Sequence, residues 1–194
     1  ADGWIAGYAI ANPTTARAAL EPILDLFGIG AHEREGKLSF RSLAAALSGK
    51  REITELAMQD DGVVVERMRE PDHALPAELH LDFRDEMRDH QAATTRVLHI
   101  GAKGRRTHFL SFPGVLTAPE ADIQAKEWLF RHWAAREEAQ FALPPSEHGI
   151  EPGTILRLPE ILGAGRYLVT EVEDGLLRRV KARRVLGNPA PATG

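Results

Sequence analysis

The 194-residue chain contains no cysteine, which removes disulfides, thiolate metal sites and cysteine nucleophiles together. It has no apolar run near the roughly 20 residues that span a bilayer, so no membrane partner is expected. Neither sign of charge dominates, since 24 Lys and Arg stand against 28 Asp and Glu for a formal net charge of -4. A dedicated nucleic-acid surface needs basic residues concentrated on one face, and here they are scattered among acids. The one basic cluster, GAKGRR at 101–106, reads as a solvated hairpin tip rather than a phosphate site. The opening ADGWIAGYAI has neither an initiator Met nor a charged segment followed by an apolar one, so it is not a signal peptide. The closing GNPAPATG has the composition of a linker. Both ends are those expected of a piece of a longer chain.

What is present suits one medium domain or two small ones, with 43% hydrophobic and 27% charged residues. Ala16, Ala19, Leu20, Ile23, Leu24 and Phe27 recur at three- and four-residue steps, the stripe of an amphipathic helix. Asn12, Thr14 and Thr15 offer cap oxygens, and Gly28 can end the helix in the left-handed conformation. Pro22 predicts a kink, or a helix that starts late. IGAHEREGKLSFRS then reads as a hairpin turning at Arg34-Glu35-Gly36-Lys37. The segments EITELA and GVVVERMRE are strand candidates separated by the turn signal QDDG. Two prolines in EPDHALPAE, residues 70–78, mark the best internal boundary.

Beyond that boundary the pattern changes to strands. ELHLDFRD alternates Leu79, Leu81 and Phe83 with His80, Asp82 and Arg84, which is period two. TTRVLHIGA and RTHFLSFPG follow around the basic tip. Thr117-Ala118-Pro119-Glu120 is a capping box with Pro in the first turn, opening a helix over about 118–138. Its wheel puts Ala121, Ala125, Trp128, Leu129, His132 and Trp133 on one broad side. Trp128, Leu129 and Trp133 are therefore candidate core. Ile123, Phe130 and Ala134 gather on the opposite side, which packs either within the same domain or against a neighbouring subunit. After the helix, FALPPSEHGIEPGTILRLP suggests a strand, a corner and another strand. Glu173-Asp174-Gly175 turns a further hairpin. Strands, a crossing helix and more strands describe a barrel or sandwich of the α+β, mainly β class.

No constellation for catalysis, cofactor binding or metal binding stands out. HLDFRDEMRDH concentrates His80, Asp82, Asp85, Glu86, Asp89 and His90, but without zinc or calcium-loop spacing, so a solvated strand and turn is expected. His132 beside two tryptophans reads as a packing residue, because no serine nucleophile accompanies it. Glu137 and Glu138 would point about 100 degrees apart on a helix and cannot flank one glycosidic bond. The glycines of LGAGRY precede a strand, the reverse of the dinucleotide-binding order.

Taken in order, ARAALEPILDLFGI with the EREGKLSFR hairpin, LPAELHLDFRDEMRDHQAATTRV, APEADIQAKEWLFRHWAAREEAQFALPPS, IEPGTILRLP and RYLVTEVEDGLLRRVKARRV form a recognisable succession. It resembles the tail protein family of siphophages and gene transfer agents, at the baseplate-hub part of the long host-specificity protein. Two departures are Pro152-Gly153-Thr154, where relatives read Pro-Gly-Asp, and His90, where an aromatic is usual. The resemblance implies a tail-tube-like β-barrel with a crossing helix, plus a small helix-hairpin subdomain. The implied segments are 1–72, a hub domain over 73–187, and a tail over 188–194. It implies a structural ring, trimeric in the particle, that joins tube to baseplate and contacts other tail proteins around a channel through which DNA passes without sequence-specific binding. Ile123, Phe130 and Ala134 are then the expected subunit contact. Two alternatives remain open: a domain associated with a glycan- or wall-cleaving hydrolase, and a carbohydrate-binding domain using Trp4, Tyr8 or Tyr167.

Overall fold

The computed structural model describes residues 5–10, 15–34, 36–43, 51–58, 62, 64–158 and 165–185. Among them lie two helices, α1 (Ala16–Phe27) and α2 (Ala118–Ala135). The strands are β1 (Ile29–Arg34), β2 (Lys37–Ser42), β3 (Arg51–Glu52), β4 (Val65–Arg69), β5 (Glu78–Asp85), β6 (Gln91–Leu98), β7 (Thr107–Leu116), β8 (Glu137–Leu143), β9 (Ile155–Leu158), β10 (Gly165–Glu173) and β11 (Arg178–Val185). The protein is mainly β. It divides into two compact units, each made of two separated stretches: Ala1–Ile29 with Pro71–Trp133, and Gly30–Glu70 with Ala134–Gly194. The predicted break at 70–78 coincides with one crossing. The other crossings fall at residues 29/30 and 133/134, so α1 belongs with the later sheet and not with a continuous 1–72 segment. The reason is its stripe, since Ile23, Leu26 and Phe27 share a core with Phe112 and Trp128.

In the first unit the sheet order is β6-β5-β7. β5 is antiparallel to β6 and parallel to β7. The alternation read in ELHLDFRD is realised, with Leu79, Leu81 and Phe83 buried and Asp82 and Arg84 exposed. Because β5 lies between β6 and β7, the 99–106 segment is a crossover rather than the predicted hairpin tip, and Arg106 donates from Nη1 to the Ala74 carbonyl at 2.6 Å. Pro113 sits where the β5–β7 register slips, the position at which a strand tolerates a residue without an N–H. There the 7–9 segment joins the edge: Tyr8 bridges Gly114, and Ala9 N–H donates to the Pro113 carbonyl at 2.9 Å. A Cβ on Gly114 would stand 2.3 Å from the Phe112 ring, so only glycine fits.

The helices are specified locally. Thr15 Oγ1 accepts from Ala18 N–H, and Gly28 ends α1 at φ +60°; Asn12 and Thr14 lie outside the described residues. Pro22 lies inside α1, so the helix does not start late. Arg131 of α2 completes the end of α1, donating from Nη2 to the carbonyls of Leu26 at 2.7 Å and Asp25 at 3.0 Å, acceptors that a helix C-terminus leaves unsatisfied. The capping box forms as expected: Glu120 Oε2 accepts from Thr117 N–H at 2.9 Å, and Thr117 Oγ1 lies 3.4 Å from Glu120 N. α2 stops at Ala135 instead of 138, and Glu137 and Glu138 begin β8, where alternation sends them to opposite faces.

In the second unit β1 and β2 form a two-stranded sheet, with Gly36 at φ +71°; Glu35 lies outside the described residues. The main sheet has the order β3-β9-β10-β11-β8-β4. It is open, since closure into the predicted barrel would require its two edges, β3 and β4, to pair, and no ladder joins them among the described residues. EITELA contributes only the end of β3, with Ala57 forming an isolated bridge to Ala142. Most of QDDG, like residues 188–194, is outside the described residues. One face of the sheet carries the core: Ala139, Phe141, Leu156, Leu158, Tyr167, Val169, Val180 and Ala182, with Ile53 and Ile150 packed among them. The 144–154 corner does not turn β8 toward its neighbour, because β10 and β11 stand between β8 and β9.

Candidate functional site

Three groups of residues stand out by type and spacing: the two sides of α2, the acidic and histidine-rich 80–90 segment, and the 135–159 stretch. On α2, Trp128 (2% exposed), Leu129 (2%) and Trp133 (8%) are buried in the first unit's core. Both indole N–H groups are engaged. Trp128 Nε1 donates to Asp25 Oδ2 at 3.0 Å, and Trp133 Nε1 to the Pro76 carbonyl at 2.8 Å. On the other side Ile123 is 52% exposed, Phe130 is half-buried and Ala134 is buried at 7%. Ile123 and Phe130 therefore remain at the surface.

Imidazoles lie flat on both tryptophans. His132 stacks on Trp128 with ring centroids 3.5 Å apart and planes 25° apart, and His108 stacks on Trp128 at 4.8 Å and 20°. His99 stacks on Trp133 at 4.0 Å and 11°. His132 Nδ1 also lies 3.1 Å from the Trp128 carbonyl oxygen. Burial holds its pKa below the usual histidine value, opposed by that hydrogen bond and by Asp25. His132 is thus a packing residue, held by its ring face.

The 80–90 cluster is dispersed by the fold. Glu78 Oε1 lies 2.5 Å from His80 Nε2 and also accepts from Arg96 Nε. The Arg96 guanidinium, and after it His80, hold the Glu78 carboxyl below the ordinary carboxylate range. Asp82 accepts from the Thr94 hydroxyl at 2.5 Å. Asp85 is buried, and its Oδ1 caps the 3-10 turn Glu86–Arg88 by accepting from Met87 N–H at 3.0 Å. Asp89 and His90 take left-handed conformations at φ +53° and +59°. No group of three His, Asp or Glu among the described residues is placed to hold a metal.

The 135–159 stretch is organised by two arginines that spacing alone does not single out. Arg178 Nη1 donates to the Glu147 carbonyl at 2.7 Å and Nη2 to the Ile150 carbonyl at 3.1 Å. Arg51 reaches the His148 carbonyl and Glu147 Oε2, both at 2.8 Å. Gly153 takes φ +91° and donates to Val169. A signal for Arg178 is present in RRVKARRV: it falls in the inward register with Val180 and Ala182, and an inward arginine demands acceptors. Glu137 accepts from Arg184 Nη1 at 2.5 Å. A cleft of about 340 Å³ in the second unit is lined by Met68, Arg69, Glu70, Ala135, Arg136 and Glu138, so neither Glu137 nor Asp85 faces a partner carboxylate across it. Among the aromatics considered for sugar stacking, Tyr167 is buried, and half-buried Tyr8 donates its hydroxyl to the Ala19 carbonyl at 2.7 Å. Trp4 lies outside the described residues, as does Gly163 of LGAGRY; Gly165 opens β10.

These features define a mainly β protein whose conspicuous polar side chains cap turns, staple loops and join strands. The family model described as "Putative phage tail protein" matches residues 15–172, and the chain belongs to that family. Among solved structures, a chain from the virion of a native gene transfer agent particle is similar over 98% of this protein, with 29% identity and a TM-score of 0.81. The 43 kDa tail protein of prophage MuSo2 from Shewanella oneidensis shares the fold over 91% of this protein, at 13% identity and a TM-score of 0.57. This protein spans 44% of the former chain and 56% of the latter. No curated protein matches it.

Proposed function

We propose that the protein is a non-enzymatic structural component of a phage-like tail, acting in the baseplate hub that joins tail tube to baseplate. The observation that carries this reading is the similarity, along nearly the whole chain, to a polypeptide of the gene transfer agent virion. In this reading the chain self-associates as a trimeric ring around a DNA channel and docks other tail and baseplate proteins. The open six-stranded sheet supplies part of a barrel wall, and the Ile123 and Phe130 side of α2 meets a neighbouring subunit. The mild net charge of -4 suits a channel through which DNA passes without being gripped. Assembly takes place in the bacterial cytoplasm before the particle leaves the cell. Antibody labelling of purified particles by electron microscopy tests the placement, with label expected at the tail tip. Label on the head, or none on particles, overturns the reading. Sedimentation of the purified protein tests self-association, with a mass of three chains expected at high concentration.

A further inference from the structure

We propose that His108, Trp128 and His132 form an acid-sensitive latch that holds α2 against the β6-β5-β7 sheet. One indole is the meeting point of three elements. Trp128 and His132 come from α2, His108 comes from β7, and α1 supplies Asp25, which accepts the Trp128 Nε1–H at 3.0 Å. The two imidazoles stack on that ring at 3.5 and 4.8 Å, and the indole is 2% exposed. In the neutral state His132 Nδ1–H donates to the Trp128 carbonyl, which leaves Nε2 as the atom that takes up a proton.

Protonation puts charge into a buried stack. A single imidazolium over an indole gains from the ring's negative face. A second one on the same indole faces a like charge through low-dielectric surroundings. The charged groups acting on His132 are Asp25 on α1, Arg131 on α2 and His108 on β7. Asp25 favours the proton, but its carboxylate is already engaged by the indole N–H. Arg131 and His108 oppose the proton, in the same direction as burial. The stack is therefore stable with neutral rings and weakened once both are charged. Burial keeps the His132 ring neutral in the fold while the unfolded chain binds its proton more readily, so its share of the stability is fully present above the ordinary histidine value of 6.5 and falls as pH drops below it. The contact loosened is the one between α2 and β7, because the stack of His108 on Trp128 joins them, while Arg131 still holds the end of α1.

The test uses the whole chain. Urea unfolding is followed by far-UV circular dichroism between pH 7.5 and 5, for the natural protein and for His108→Phe, His132→Phe and the double variant, which keep flat rings that cannot titrate. The unfolding constant of the natural protein is expected to rise toward acid, by up to about tenfold per pH unit for each proton taken up on unfolding. His132→Phe should lower that slope, and the double variant should be at least as flat. An unchanged slope in the double variant overturns the latch. If the variants do not fold, the natural protein decides by NMR titration of its imidazole protons. A His132 midpoint below 6.5 supports the latch, and one at or above it overturns the latch.

Discussion

The two units solve the same problem, covering one face of a sheet, with different materials. In the first, a three-stranded sheet is covered by α1 and α2, and the cover is fastened by side chains reaching between elements: Trp128 to Asp25, Trp133 to Pro76, Arg131 to the end of α1. In the second, the apolar face of a six-stranded sheet packs Ile53 and Ile150 from irregular segments, and Arg178 and Arg51 staple the 144–154 corner by its carbonyls. A helix satisfies its own backbone, so covering a sheet with one leaves side chains free to lock neighbours together. A loop cannot, so its carbonyls must be met by buried donors, and arginine meets several at once.

That contrast can be broken from either end. The largest effect is expected for Trp128→Ala, which removes a fully buried indole and the partner of Asp25, at about 3–5 kcal/mol. Hydrogen exchange should show the loss in β5, β7 and α2. Arg178→Ala leaves two loop carbonyls without their donor and should cost about 2–3 kcal/mol, with exchange rising in the 144–154 corner; an equal rise in α2 would mean that the two units do not unfold separately. Glu120→Ala removes the capping box at about 1 kcal/mol, read from the urea midpoint. The Thr117 backbone N–H, and then its hydroxyl, hold the Glu120 carboxyl below its ordinary value. Its contribution is therefore present above the ordinary carboxylate range and lost as pH falls through the lowered value. Ile123→Ser should change stability by less than about 0.5 kcal/mol and shift the sedimentation equilibrium toward the single chain. A trimer that survives this change unaltered removes Ile123 from the proposed contact.

Signals confined to a few neighbouring residues are legible in the sequence alone. The Thr15 cap and Gly28 terminus, the Thr117 and Glu120 box, and the period-two face of β5 all form where the sequence places them. The order of tail-like segments is legible in the same way, as a succession of local patterns. The differences between expectation and fold concern partners. β6 and β7 read as two arms of one hairpin, but β5 stands between them. The end of α2 falls short of its expected position although Arg136, Glu137 and Glu138 are acceptable helix residues by propensity, because pairing of β8 with β11 and β4 outweighs that preference.

By itself, then, the sequence determined where both helices begin, where most of the strands lie, which side of them is apolar, and the family to which they belong, because these follow from neighbours within one or two turns of chain. Only the tertiary structure decided that α1 joins a sheet much further along the chain, that the 144–154 corner spans two strands, and that Trp128 lies between two imidazoles. Contacts of that kind depend on which distant apolar faces bury one another most completely, a comparison of whole packings that no local pattern contains.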